Sequence, residues 1–307
     1  MLLRGISKSV KFVIIDSTEL VKEVINRTNV DILYSKDVSK LTTMGAILAQ
    51  SIKSNNTKMS LSLKSDGALK NFIAKSTINS NIAVKIDIDE EKHAKLLNAI
   101  NTNDEKEVEK LYNLTGAKLQ IMIDYGLKSP YSSVFLVKDN LLELSLNEYY
   151  EMSEQTKTIL ICSTKYDENL NVEKASGLMI QLLPDGDDNV MAWLASKIER
   201  LLNVTDMLKN NFSLERIAHL IFENDEEIFA NENIYKGLPY DRLPMIEDIE
   251  ILSVNDIKYE CDCNKEYMKR ALDISLSDEN KEEILKEDGF IEIECSFCGE
   301  KYRFEEI

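Results

Sequence analysis

Tyr259-Glu260-Cys261-Asp262-Cys263 and Glu294-Cys295-Ser296-Phe297-Cys298-Gly299 are the stretches from which the organisation of this chain is read. Each holds a close pair of cysteines, C-x-C and C-x-x-C, and the 31 residues from Asn264 to Glu294 separate them. Two close pairs far apart in sequence suit a four-thiolate zinc site. Each pair offers two sulfurs without moving the backbone, and folding joins the pairs into a tetrahedron with Zn–S of about 2.3 Å. Residues i and i+2 of an extended segment share a face, so Cys261 and Cys263 can both turn toward one ion. Gly299 permits the positive φ that a tight loop around a metal needs. The expected ligands are therefore Cys261, Cys263, Cys295 and Cys298, holding one Zn²⁺ per chain in the reduced state.

Other readings of the same cysteines stay open on spacing alone. Static disulfides do not suit a reducing cytosol. A purely structural zinc ribbon does suit the pattern. A redox-active site suits it too: C-x-C is less usual in static zinc modules, each pair can close on itself, and oxidation would then remove all four ligands together. Zinc-bound thiolates are deprotonated and more oxidisable than free thiols at neutral pH. The fifth cysteine, Cys162, lies in the strand-like run Thr158-Ile159-Leu160-Ile161-Cys162 and reads as a small core hydrophobe.

Outward from this module, the 307 residues are enough for two domains and an extra segment. Hydrophobic residues make up 44% of the chain and charged residues 30%, a globular balance able to bury a core. Up to Asp188 the pattern is mixed. Lys11–Ile15 reads as a strand and Thr18–Ile25 as a helix, while Leu41, Met44, Ile47, Leu48 and Ile52 keep helical period. Met59/Leu61/Leu63, Ile82/Val84/Ile86/Ile88 and Leu119/Ile121/Ile123 alternate as half-buried strands, and the Asp/Gly turns after two of them favour antiparallel pairing. Val134–Val137 and Leu178–Leu183 add two more strands. Pro184-Asp185-Gly186-Asp187-Asp188 is a stop.

Beyond it, Met191, Leu194, Ile198, Leu201, Leu202, Val204, Met207 and Leu208 describe an amphipathic stripe, continued by Leu214–Ile221. Such faces are covered either permanently by a core or conditionally by a partner. Gly237–Pro244 reads as a linker, and Glu266–Leu272 as a helix of the cysteine module. The expected fold class is α+β: a large domain with an antiparallel-rich sheet and packed helices over 1–188, a helical, metastable linker over 189–256, and a small zinc-binding domain over 257–307.

Several functions are disfavoured. The net charge is −17, and from Glu247 onward 19 acidic residues face 8 basic ones, so a nucleic-acid-reading zinc module is not expected. No apolar run approaches the ~18–20 residues of a membrane span, and the first residues lack a secretory pattern, so the expected location is cytoplasmic. His93 and His219 have no paired nucleophile, and phosphate-binding glycine loops are absent, so neither an enzyme nor an ATP-dependent machine is expected.

The chain resembles the redox-regulated 33-kDa heat-shock chaperone family, a bacterial holdase family. The likeness runs end to end. It is strongest in Tyr259–Cys263, Arg270-Ala271-Leu272, Gly289–Cys298 and Tyr302-Arg303-Phe304, with support from Ser65–Leu69, Ser153-Glu154-Gln155 and Ala175–Pro184. It departs from the family pattern at Tyr259, Asn264 and Gly299, and in a long stretch from Asn233 to Asp256. The resemblance implies an ATP-independent chaperone that is inactive while reduced and zinc-bound. It implies activation by oxidation to Cys261–Cys263 and Cys295–Cys298 disulfides with zinc release, binding of unfolded clients, and a homodimer when oxidised. Structural zinc supplies roughly 10–16 kcal/mol of folding free energy, so its loss should unfold a module with little core of its own. The alternatives are a constitutive zinc-ribbon interaction module and a thiol–disulfide oxidoreductase.

Overall fold

The run Lys11-Phe12-Val13-Ile14-Ile15 is the start of the architecture, because a strand apolar at successive positions must be covered on both faces. In the computed structural model, which describes residues 1–50, 57–76, 81–223 and 248–306, this run lies in strand β2 (Val10–Asp16). Val13 and Ile15 face one core; Phe12 and Ile14 face a second. Beside β2 run β1 (Leu2–Ile6) and β9 (Val172–Leu182), then β8 (Thr158–Tyr166) and β10 (Glu250–Asn255) at the edges, all antiparallel.

A second five-stranded antiparallel sheet is ordered β5 (Ile82–Ile88), β4 (Leu69–Ser76), β3 (Lys58–Lys64), β6 (Lys118–Asp124), β7 (Tyr131–Leu136). The helix predicted around Leu41–Leu48 is α2 (Ile32–Ala49), which packs against both sheets and is buried nearly all round. Ile52, read as its continuation, lies outside the described residues. The approach is close: a Cβ on Gly177 would lie 2.7 Å from Ile47 Cδ1 and 2.8 Å from Thr43 Cγ2. Helix α1 (Thr18–Thr28) packs beside α2, while α3 (Glu90–Asn101), α4 (Glu105–Tyr112) and α5 (Leu142–Ser153) complete this half. Mixed α+β architecture with antiparallel sheets is thus what the chain adopts.

The other face of the first sheet carries the helices predicted after Pro184: α6 (Asp188–Arg200), α7 (Val204–Lys209) and α8 (Leu214–Phe222). The stripe from Met191 to Leu208 is two helices, not one. Leu201 turns extended, and Asn203 caps α7 by accepting from the Asp206 amide at 2.8 Å. Phe222 seats α8 by stacking on Phe12 at 4.1 Å. Gly5 leaves room for that ring: a Cβ there would lie 2.2 Å from Phe12 Cζ.

Within 189–256, expected to be a helical, metastable linker, Glu250–Asn255 is instead strand β10, paired with β1. Its short Glu-Ile-Leu-Ser-Val-Asn pattern gave no alternation clear enough to read. The Gly237–Pro244 linker reading lies outside the described residues. The last portion holds α9 (Lys265–Ser275), α10 (Asp278–Asp288) and the hairpin β11 (Ile291–Glu294)–β12 (Lys301–Phe304), around a core of only Met268, Leu272, Ile291, Cys295 and Phe304.

Phe222→Ala is expected to cost about 3–5 kcal/mol by opening a cavity over Phe12. Urea unfolding of the variant checks this; a loss below 1 kcal/mol, roughly the scale of a surface substitution, would show that α8 is not anchored by this ring.

Candidate metal centre

Local structure sets each cysteine. Cys261 and Cys263 sit on extended chain ahead of α9, whose start is fixed by Asn264 accepting from the Tyr267 amide at 2.9 Å. Cys295 and Cys298 sit in the turn leaving β11. There the Gly299 amide donates to Cys295 O at 2.8 Å, with Gly299 at φ +75° as its position required. The four Sγ atoms all lie within 4.8 Å of one another. The short contacts run between the pairs: Cys261 to Cys295 at 3.8 Å and Cys263 to Cys298 at 3.3 Å. A ZnS₄ tetrahedron with bonds of about 2.3 Å has S···S edges of about 3.8 Å. Among the described residues this is the one such cluster.

The electrostatics also suit a cation. Burial pushes the Cys261 thiol well up and the Cys298 thiol to about 11. Burial works the same way on Cys295, but the Cys298 and Phe297 amides directed at its sulfur outweigh it and the thiol is lowered. Four thiolates gathered here need positive charge among them, which a divalent ion supplies. The donor set and spacing fit Zn²⁺.

The cluster is held against the second sheet. Ile82 and Tyr259 form a parallel bridge, with the Ile82 amide donating to Lys258 O at 3.2 Å and the Glu260 amide to Ile82 O at 3.0 Å. Asn81 Nδ2 donates to Glu260. The Tyr259 hydroxyl donates to Phe297 O at 2.5 Å, and the Arg27 guanidinium lies 4.7 Å from the Tyr259 ring centre.

Lys75 on β4 engages both cysteine segments. Its ammonium donates to Asp262, between Cys261 and Cys263, at 2.6 Å, and lies 4.6 Å from the ring centre of Phe297, between Cys295 and Cys298. Lys58 stands 3.6 Å from the other Asp262 oxygen. Burial opposes both charges. The hydrogen bond and mutual attraction prevail, so the Lys75 pKa is raised and the Asp262 pKa lowered. The sequence reading missed Lys75, Arg27 and Asn81, since nothing local distinguishes them.

Other singled-out residues lie elsewhere. Cys162 is buried in β8, where desolvation raises its thiol far up. His93 bonds the Tyr34 hydroxyl at 2.9 Å, and His219 bonds Glu223 at 2.8 Å. Asp187 caps α6.

The family model described as "Hsp33 protein" matches residues 2–305. The chain belongs to the Hsp33 family. Two relatives are each named "33 kDa chaperonin". One, from Clostridium novyi (strain NT), is 25% identical over 99% of this chain and 94% of its own. The other, from Clostridioides difficile (strain 630), is 24% identical over 86% and 80%. The crystal structure of the 33 kDa chaperonin from Thermotoga maritima shares the fold, with a TM-score of 0.70 and 19% identity, covering 99% of this chain and 94% of that one. No helix among the described residues is long and apolar enough to cross a membrane.

Lys75→Met removes a charge-assisted hydrogen bond that, partly solvated, contributes about 1–2 kcal/mol. Hydrogen exchange at the Ile82 and Glu260 amides should accelerate about tenfold, at opening free energies in that range. Unchanged exchange would place the docking energy in the other contacts.

Proposed function

We propose that this chain is a redox-regulated, ATP-independent holdase that binds unfolding proteins under oxidative stress in the cytoplasm. The observation carrying this reading is the four-sulfur cluster joining two segments of a module whose core is only five residues. Cys261, Cys263, Cys295 and Cys298 would hold one Zn²⁺, which when bound keeps the sulfurs as thiolates and ties the segments together. Oxidation would take two electrons from each pair. Counting the thiol protons, one peroxide per pair closes Cys261–Cys263 or Cys295–Cys298 and leaves as two waters.

Neither local disulfide joins one segment to the other, so the module loses its cross-link. The proposed division into 1–188, 189–256 and 257–307 then has a mechanical sense, with the middle part held in place at both ends. Beneath α6 and α7 lies an apolar cleft of about 310 Å³, bordered by Ile159, Ile161, Leu178, Ile198, Leu202 and Met207. Loosening of these helices would offer such surface to clients, and to a second copy in the oxidised homodimer. Holding needs only differential affinity between two states, without ATP.

An oxidoreductase would want an exposed, acidic leading thiol at a helix N-terminus. Here Cys295 is 4% exposed and follows a strand.

Reduced protein should carry about one zinc per chain, and peroxide with mild heat should release it while client light scattering falls. Retention of zinc under oxidant would instead favour a constitutive zinc ribbon. Cys261→Ser should weaken zinc binding by more than the ~10–100-fold that losing a mere supporting hydrogen bond costs, read by competition with a chelator. Unchanged affinity would remove Cys261 from the site.

A further inference from the structure

Among the described residues, strand β7 is the outer strand of the second sheet and pairs with β6 alone. Its sequence, Tyr-Ser-Ser-Val-Phe-Leu, holds no charge, proline or glycine, and its pairing with β6 has no bulge. Among the described residues, the backbone of Ser132 to Leu136 has no partner beyond β6. Natural sheets protect such edges with charges, prolines, bulges or a covering segment, because an open edge invites another chain to pair. The opposite edge of the same sheet follows that rule: the segment at Tyr259 bridges β5. At β7 the exposed face carries Ser132, Val134 and Leu136, with Val134 58% and Leu136 54% exposed.

A built site stands at one end of this edge. Tyr125, Tyr131, Tyr149, Tyr150 and Glu154 border a cleft of about 450 Å³ that Lys11 also lines. One Glu154 oxygen accepts from the Tyr131 hydroxyl at 2.9 Å and the Tyr149 hydroxyl at 2.8 Å. The next residue, Gln155, is held at φ +50°, a conformation uncommon for a side chain of its kind. Aromatic faces beside a carboxylate attract an organic cation, and the chain's net charge of −17 acts in the same sense. At the other end Leu136 lies opposite Lys118, which gives the edge a polarity.

We propose that β7 is a docking edge to which an extended segment of an unfolded client adds as a further strand. The segment is apolar along its middle and carries a lysine or arginine at the end lying beside Tyr131. Main-chain hydrogen bonds give affinity that tolerates many sequences, and the tyrosine–glutamate cleft supplies a preference for a cation. This rests on the holdase reading and adds a point of client contact outside the helical layer.

The test uses the oxidised full-length chain and a labelled, soluble peptide of alternating valine and threonine with one lysine near an end. Its norleucine counterpart is the comparison. Peptide binding should protect the Ser132–Leu136 amides from hydrogen exchange. Val134→Lys, at an exposed position that leaves the fold intact, should weaken binding by about tenfold, whereas Val134→Thr should not. Glu154→Gln should abolish a preference of about three- to tenfold for the lysine peptide without changing norleucine-peptide affinity. Binding without protection at β7, or wild-type affinity in Val134→Lys, overturns the docking edge while client-aggregation suppression still upholds the holdase reading. Protection that appears on oxidation alone and grows with protein concentration assigns the edge to a second copy and overturns the client assignment. An oxidised chain that neither binds peptide nor suppresses aggregation overturns both.

Discussion

Four sulfurs brought within 4.8 Å by segments that lie far apart in the chain are the junction on which the C-terminal portion depends. The energetics are lopsided. Five buried residues, with nine partly buried ones packed around them, are a small core for two helices and a hairpin. A metal bridging the two segments would therefore add much to the stability. On the proposed function, chemistry that changes which sulfurs are joined would be a change in folding, with no separate signalling element required. The backbone hydrogen bonds of the C-x-x-C turn lie within a single segment, and the Tyr259 hydroxyl donates across to Phe297 O from the other.

The large domain rests on a different principle. Its first sheet is covered on both faces and its second on the side facing α2, so most of its stability comes from apolar burial around one central helix. Cys162, the one thiol there, is buried at 6% exposure with its pKa far above neutral, and so lacks the thiolate that reacts with peroxide.

Much of this was legible in the residues. The C-x-C and C-x-x-C pairs identified the cluster because ligand spacing is a local property. Two-residue alternation located β3, β5 and β6 because each has one face on the core. The exceptions have physical reasons. β10 is a six-residue edge strand whose partner β1 lies at the other end of the chain, so its pairing leaves no local mark. The break between α6 and α7 depends on a cap at Asn203 inside an unbroken apolar stripe. Lys75 is one of 37 basic residues, and only the folded register brings it to Asp262. Contacts between remote elements are invisible to patterns that repeat over a few residues.

The path from the sulfurs to the helical layer is short and continuous. From Cys261 the chain runs back through Tyr259, bridged to β5, and Ile257, buried in the core between the sheets. It then enters β10, whose Ile251 and Val254 pack against the core formed with α6, α7 and α8. One segment therefore touches the edge of the second sheet, the central core, the edge of the first sheet and the underside of the helices. The sulfur-bearing end is held at β5 by two backbone hydrogen bonds at Ile82 and by Asn81, which accepts from the Lys258 amide and donates to Glu260. Since β10 is an edge strand, paired on one side only, it can leave the first sheet without breaking the β1–β2–β9–β8 ladder behind it. The fold thus joins the sulfur cluster to an apolar helical layer through an edge strand, while the two-sided core keeps the rest in place.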